Sequence, residues 1–156
     1  MDELRVPKRR VSAEAILAGG TARRITLFLA EAASHHSGPE RPGDLLNGGG
    51  DFIPALDEEA GAMTFLNRAG LAAVRVPGHD VEDEGAELTL PTEHAVEVLL
   101  QSGATLRGLV SYLRPPDRSR LQDFLNEPEP FFHLLEEQAV VLVNKRHVVR
   151  VVLASP

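Results

Sequence analysis

The sequence contains no cysteine and no tryptophan, and only 4% of its residues are aromatic. Without cysteine there is no disulfide bond, thiol nucleophile or thiolate metal site. The core must therefore be built mainly from Val, Leu, Ala and Ile. Apolar runs such as residues 25–30 fall far short of the roughly 20 residues that a membrane-spanning helix needs. Met1 to Leu4 are partly charged with no apolar stretch behind them, so we expect no secretory signal and a cytoplasmic location.

The composition is that of a globular protein. Of 156 residues, 43% are hydrophobic and 25% are charged, and 23 acidic residues outnumber 16 basic ones to give a net charge of −7. This length allows one domain of ordinary size or two small ones. The high usage of Ala, Arg, Gly and Val indicates a bacterial protein from a GC-rich genome.

An internal repeat is the most informative feature of the sequence. The segment Asp-Leu-Leu-Asn at 44–47 recurs as Asp-Phe-Leu-Asn at 123–126, 79 residues later. Two further blocks recur in the same order, 13–17 as 96–100 and 65–68 as 142–145. Three blocks in one order indicate an internal duplication.

The repeat divides the chain into a basic N-terminal segment (1–10), a first repeat (11–76), an acidic linker (77–93) and a second repeat (94–154). Within the linker, residues 79–93 hold six acidic residues and no Lys or Arg. A unit of this size buries only about 60% of its unfolded surface and is marginal alone. We therefore expect the repeats to pack together, by an approximate two-fold or by edge-to-edge pairing of strands, and sheet edges are a candidate route to a homo-oligomer.

The second repeat reads mainly as β-structure with one short helix. Apolar residues alternate over 96–100, a turn follows at 102–103, and a second strand covers 105–113. Ser119 and Gln122 fit a capping box and predict a short helix over 119–126, ended by Pro128 and Pro130. A third strand covers 131–135. The runs 140–143 and 148–153 flank a polar turn at 144–147 and predict a closing hairpin.

The second repeat resembles the Sm-like small β-barrel family. The residues that carry the resemblance are Val96, Val98 and Leu100 leading to Gly103, with Gly108 five positions later, and the strand-turn-strand segment 142–151. The same residues suit an SH3-like barrel. The segments 123–126 and 143–145 are also similar to an uncharacterised bacterial family. The resemblance implies two tandem small β-barrels, each with a short helix, and carries RNA or nucleotide binding as an expectation.

Cationic residues around two connections form the first candidate binding site. They are Arg114, Arg118, Arg120, Lys145 and Arg146, with Asn144 beside them. If these connections share one face, they would attract phosphate or an acidic protein segment. The repeated helix is the second candidate, and its residues are Leu121, Phe124, Leu125 and Asn126. The three apolar residues, Leu121, Phe124 and Leu125, recur at helical spacing and predict one buried face. The alternative is that this helix docks a partner.

No residue pattern points to catalysis. The pair His35-His36 lacks a third ligand at a suitable spacing, and His133 and His147 lack an orienting carboxylate and a nucleophile. The glycines at 48–50 lack the lysine and the following helix of a phosphate loop. We expect no catalytic residue, cofactor or metal. The favoured function is a non-catalytic bacterial adaptor or regulatory protein-interaction module. The alternative is an Sm-like RNA- or nucleotide-binding protein.

Overall fold

The computed structural model describes residues 8–31, 38–78, 92–113 and 120–154. Its strands are β1 Lys8–Leu17, β2 Ala22–Ala30, β3 Phe52–Asp57, β4 Ala62–Asn67, β5 Leu71–Pro77, β6 Thr92–Leu100, β7 Thr105–Tyr112, β8 Phe131–Leu135, β9 Ala139–Asn144 and β10 Val148–Leu153, and its helices are α1 Pro42–Leu46 and α2 Leu121–Leu125. The prediction of a mainly β protein is confirmed. None of the described helices is long and apolar enough to cross a membrane.

All ten strands form one antiparallel sheet in the order β10-β6-β7-β8-β9-β5-β1-β2-β3-β4. The first five strands and α1 make up half one, and the last five strands and α2 make up half two. Within each half the strand order is the same: the fifth strand, then the first, second, third and fourth. The two halves therefore follow one plan and meet in the middle of the sheet.

The strand registers of the two halves coincide residue for residue. Ala13 lies opposite Ile25 in half one, and the repeat-related Val96 lies opposite Gly108 in half two. In the same way, Ala15 pairs with Val74, as Val98 pairs with Val151. Both fifth strands also break register at one place, which leaves out residue 72 in half one and residue 149 in half two. The sequence repeat thus corresponds to a repeat of backbone geometry.

The buried side chains of the sheet and helices form two hydrophobic cores, one for each half. Alternating side chains of β1, β2 and β3 build the core of half one, and Leu46 of α1 is buried in it. The core of half two is built from β6, β7 and β8, with Leu121, Phe124 and Leu125 of α2 packed against it. Since side chains alternate between the faces of a strand, each strand presents every second residue to its core. Each short helix covers the core of its own half.

The closing hairpin that the sequence predicts over 140–153 is wrong. Both segments are strands, but β9 lies between β8 and β5, and β10 pairs with β6. The intervening Lys145–His147 forms a 3-10 turn in which the Asn144 side chain accepts a hydrogen bond from the backbone of Arg146. The chain passes through this turn from β9 to a position beside β6, so β9 and β10 do not pair with each other. The predicted helix is present at Leu121–Leu125, begun by Arg120, while Ser119 lies outside the described residues.

Gly108 is required where β7 approaches β8. A Cβ atom at this position would lie 2.5 Å from the carbonyl oxygen of Leu135 and 3.0 Å from Cγ of Leu134. We expect Gly108→Ala to lower the free energy of unfolding by about 1–3 kcal/mol, because the backbone of β8 must shift to make room. Urea unfolding measures the change. Gly19→Ala is the matched control, since nothing lies within 4 Å of its Cβ position. Equal stability of the two variants would contradict this packing.

Candidate protein interface

The two halves are joined by the antiparallel pairing of β5 with β9, here called the seam. Its register runs from Ala73 opposite Val143 to Pro77 opposite Ala139. The seam joins the fifth strand of half one to the fourth strand of half two. A two-fold would pair the same strand from each half, so the expected two-fold is wrong, and the halves are related head to tail. The expected edge-to-edge pairing of strands is what the structure has.

Side chains from both halves cross the seam into the opposite core. Phe131 and Leu142 of half two belong to the core of half one. In return, Ile16, Ala72 and Ala73 of half one belong to the core of half two. All residues of β9 are buried as a result. The seam is thus a hydrophobic interface as well as a row of backbone hydrogen bonds.

Asn144 is the one polar residue among the buried side chains of the described chain, with 2% of its surface exposed. Its Nδ2 donates to the carbonyl oxygen of Leu71 at 2.9 Å and to that of Arg68 at 3.3 Å. Its Oδ1 accepts from the backbone of Arg146 at 3.0 Å. The sequence placed Asn144 in a surface binding site. The structure instead uses it to tie the turn before β10 to the start of β5.

A second asparagine ties α1 to the other half. Nδ2 of Asn47 donates to the carbonyl oxygen of Phe131 at 3.3 Å, and the backbone N–H of Phe131 donates to Oδ1 at 2.8 Å. Asn47 closes the repeated Asp-x-Leu-Asn segment, and Asn126 is its counterpart at the end of α2. In half one, this repeated asparagine therefore joins the end of α1 to β8 of the other half.

Arg75 adds an ion pair across the seam. Its guanidinium donates to both carboxylate oxygens of Glu136, at 2.9 and 3.0 Å, and to Glu14 at 2.5 Å. The hydrogen bonds to Glu136 and Glu14 raise the pKa of Arg75 above its usual range, against partial burial. The shallow depression beside this cluster is lined by 136–139 together with Arg75 and Pro77. These charges are paired with one another.

The predicted basic site is only partly assembled by the structure. Arg114 and Arg118 lie outside the described residues. Nζ of Lys145 donates to the carbonyl oxygen of Glu127 at 2.5 Å, and partial burial lowers the pKa of its ammonium. Arg68, its counterpart in half one, likewise donates to the carbonyl oxygen of Leu45 at 2.8 Å. Lys145 thus anchors the loop after α2, and Arg68 anchors α1 and, through the carbonyl oxygen of Gly49, the loop after it. Arg120 and Arg146 are exposed.

The predicted helical site is largely a packing element. Leu121, Phe124 and Leu125 lie half-buried against the core of half two. The ring of Phe124 stacks on Tyr112 at 4.9 Å between centroids and meets Phe132 edge-on at 6.1 Å. Asn126 is exposed at the end of the helix. Among the described residues, no group of three or more His, Cys, Asp or Glu is arranged to hold a metal ion.

The sequence predicts a strand over 148–153 but does not show that β4 and β10 are the outer strands, which each pair on one side only within the described chain. All of β9 is buried, but its counterpart β4 exposes Ala62, Met63, Phe65 and Asn67. Phe65 is 68% exposed, whereas the repeat-related Leu142 is 1% exposed. One signal was available: β4 carries no charge and no proline, the devices that usually protect an edge strand.

The exposed apolar residues of β3 and β4 share one face. In the register of this pair, Phe52 lies opposite Asn67, Pro54 opposite Phe65, and Leu56 opposite Met63. The residues between them, such as Ile53, point to the core of half one. Phe52, Pro54, Met63 and Phe65 are all exposed and together define the β3–β4 edge surface. In half two the counterparts of Phe52, Met63 and Phe65 on this face are buried, and they are Phe131, Val140 and Leu142.

The other outer strand, β10, also exposes apolar side chains. Val149, Val152 and Leu153 are 57%, 43% and 58% exposed. The counterpart of Val149 in β5 is Ala72, which is 1% exposed within the core of half two. Both outer strands thus expose positions that the seam buries.

Comparing the two repeat-related asparagines isolates the contribution of Asn144 to the seam. Each caps a 3-10 turn through Oδ1, to Ala69 for Asn67 and to Arg146 for Asn144, but Asn144 also bonds the backbone of the other half. We expect Asn144→Ala to cost about 1–3 kcal/mol more of unfolding free energy than Asn67→Ala, since it removes a hydrogen bond to the buried carbonyl group of Leu71. Chemical denaturation measures both variants. A similar loss for the two would contradict this role.

Comparison with known proteins assigns no family to the chain. No family model, curated protein or solved structure matches it.

Proposed function

We propose that the protein is a non-catalytic protein-interaction module, an adaptor or regulatory protein, that binds its partner along the β3–β4 edge surface. The observation that carries this proposal is the contrast between two repeat-related strands. The fully buried β9 pairs with a strand on each side, whereas β4 pairs on one side only within the described chain and exposes apolar side chains. An edge of this kind binds an extended segment by adding a strand to the sheet.

The chemistry of the edge favours a protein partner. Phe52, Met63 and Phe65 are each more than half exposed and lie on one face, beside strand groups that can pair with a further backbone. Aromatic residues and methionine are enriched at the centres of protein interfaces, because burying them releases much apolar surface from water. An unprotected edge without charges is also prone to unwanted association, so a dedicated partner would account for its retention.

We further propose that each half is a small barrel-like unit of the Sm-like or SH3-like kind. Support comes from five strands in the same order in each half, one short helix, and a separate core. The sheet of the described residues is continuous across both units, so on this proposal the two are fused through their edges.

Nucleic-acid binding, the alternative, has less support. The ammonium group of Lys145 is engaged by a backbone carbonyl, and Asn144 is buried in the seam. The net charge of −7 opposes the approach of a polyanion. On this alternative, binding would fall steeply with salt and would be lost on charge reversal of Arg120 and Arg146.

Affinity capture from a lysate of the source organism, with and without nuclease, tests the proposal. We expect a discrete protein, other than the chain itself, that survives nuclease treatment and whose capture falls about tenfold or more with Phe65→Lys. The reason is that the variant removes an aromatic contact and places an unpaired charge in the interface. Mass spectrometry identifies and quantifies the captured protein.

Leu113→Lys is the matched control, because Leu113 is 47% exposed and directly follows β7, a strand inside the sheet rather than at its edge. This variant should capture the partner as the unaltered protein does. Circular dichroism should show the same strand content for both variants. Recovery of RNA, with proteins lost after nuclease, would replace the proposal by the nucleic-acid alternative. A partner captured equally by both variants would remove the β3–β4 edge surface from it.

A further inference from the structure

We infer that the β3–β4 edge surface also binds β10 of a second copy of this chain, so that copies associate head to tail through a repeat of the seam. The inference deepens the proposed function, because it names one partner for the same surface. It depends on the edge but not on any partner of different sequence.

The seam uses one fourth and one fifth strand and leaves the other two unpaired on one side within the described residues. The seam pairs a fifth strand, β5, with a fourth strand, β9. The outer strands are the remaining fourth strand, β4, and the remaining fifth strand, β10. The two open edges of one chain are therefore the two partners of a second seam. They lie at opposite ends of the sheet, so a second copy supplies the complementary edge.

The repeat also fixes the register of the new pair. In the seam, Val74 lies opposite Leu142 and Val76 opposite Val140. The counterparts are Val151 opposite Phe65, and Leu153 opposite Met63. Leu153 and Met63 are both more than half exposed in the single chain.

The apolar side chains of both edges fit this arrangement. Phe131 and Leu142 fill the core of half one across the seam. Their counterparts Phe52 and Phe65 are 58% and 68% exposed, and in the second seam they would enter the core of half two in the next copy. In exchange, Val149 would take the place that Ala72 has in the seam. The two largest exposed aromatic side chains of the described residues thus acquire a core position.

Polar groups complete the match. Asn67, the counterpart of Asn144, would donate to the carbonyl oxygens of Lys145 and Val148 in the next copy, which correspond to Arg68 and Leu71. Asn126, the counterpart of Asn47, would bond the backbone of Phe52 in the next copy. Asn67 and Asn126 would then make across the second seam the contacts that Asn144 and Asn47 make across the first.

Two differences make the second seam weaker than the first. Val152 stands in the place of Arg75, so the ion pair with Glu136 has no counterpart. Arg150 stands in the place of Ala73, and its charge lies on the edge. A charge on an edge strand limits indiscriminate pairing. We therefore expect reversible association that depends on concentration.

Light scattering coupled to size-exclusion chromatography tests the inference on the purified chain. The unaltered protein should form species whose mass is a whole multiple of 16.9 kDa and rises with concentration. Phe65→Lys and Val149→Lys should each be monomeric, and Leu113→Lys should associate as the unaltered protein does. A mixture of the first two variants should form a dimer and no larger species, because only one intact pair of edges remains.

Cross-linking tests the register, and the absence of native cysteine makes it clean. In a chain with Met63→Cys and Leu153→Cys, mild oxidation should give disulfide-linked dimers and larger products. The matched control carries Met63→Cys and Val149→Cys. Four residues along a strand shift the sulfur partner by about 13 Å, beyond the reach of a disulfide, so the control should not cross-link.

The outcomes separate this inference from the proposed function. A monomer at all concentrations, with a nuclease-resistant partner still lost in Phe65→Lys, would overturn self-association and keep the interaction module. Association that is abolished by Phe65→Lys but unaffected by Val149→Lys would indicate β4 pairing with β4, and would overturn the head-to-tail arrangement. Equal cross-linking in the two cysteine pairs would overturn the register.

Discussion

The pairing of β5 with β9 is the interaction on which the rest of the structure depends. It joins two five-stranded halves into one sheet, and it exchanges core side chains between them. Asn144 and Asn47 both tie the halves together near the Ala73–Val143 end of this pairing, through hydrogen bonds to backbone groups. Because the pairing is head to tail, it satisfies one edge of each half and leaves the complementary edges exposed. The candidate interface is thus a consequence of how the repeat was joined.

The local structure follows from short-range patterns in the sequence. Alternation over 96–100 indicates a strand because its period places apolar residues on one face, and the repeated 44–47 and 123–126 indicate a short helix in each half. The strand registers of the two halves agree with the offsets of the sequence repeat. Residues close together in the sequence determine these features, so the sequence alone predicts them.

The sequence patterns do not predict which strands lie next to each other in the sheet. A period of two fixes which residues share a face, but it does not fix which strand lies alongside. Asn144 looked like a turn residue on the surface, and its burial depends on the backbone of Leu71, more than 70 residues earlier. Phe52 and Phe65 are exposed, although their counterparts Phe131 and Leu142 are buried. Their exposure arises because no equivalent of half one covers β3 and β4 in the described chain.

The exchange of core residues between the halves determines when half one can complete its folding during translation. Half one leaves the ribosome first, yet Phe131 and Leu142 belong to its core and are among the later residues to be translated. Until they emerge, the nascent half one carries an unfilled apolar face beside an unpaired β5. Its native packing is therefore completed only after most of half two has been synthesised. Such a chain exposes aggregation-prone surface during translation and gains from chaperone protection at that stage.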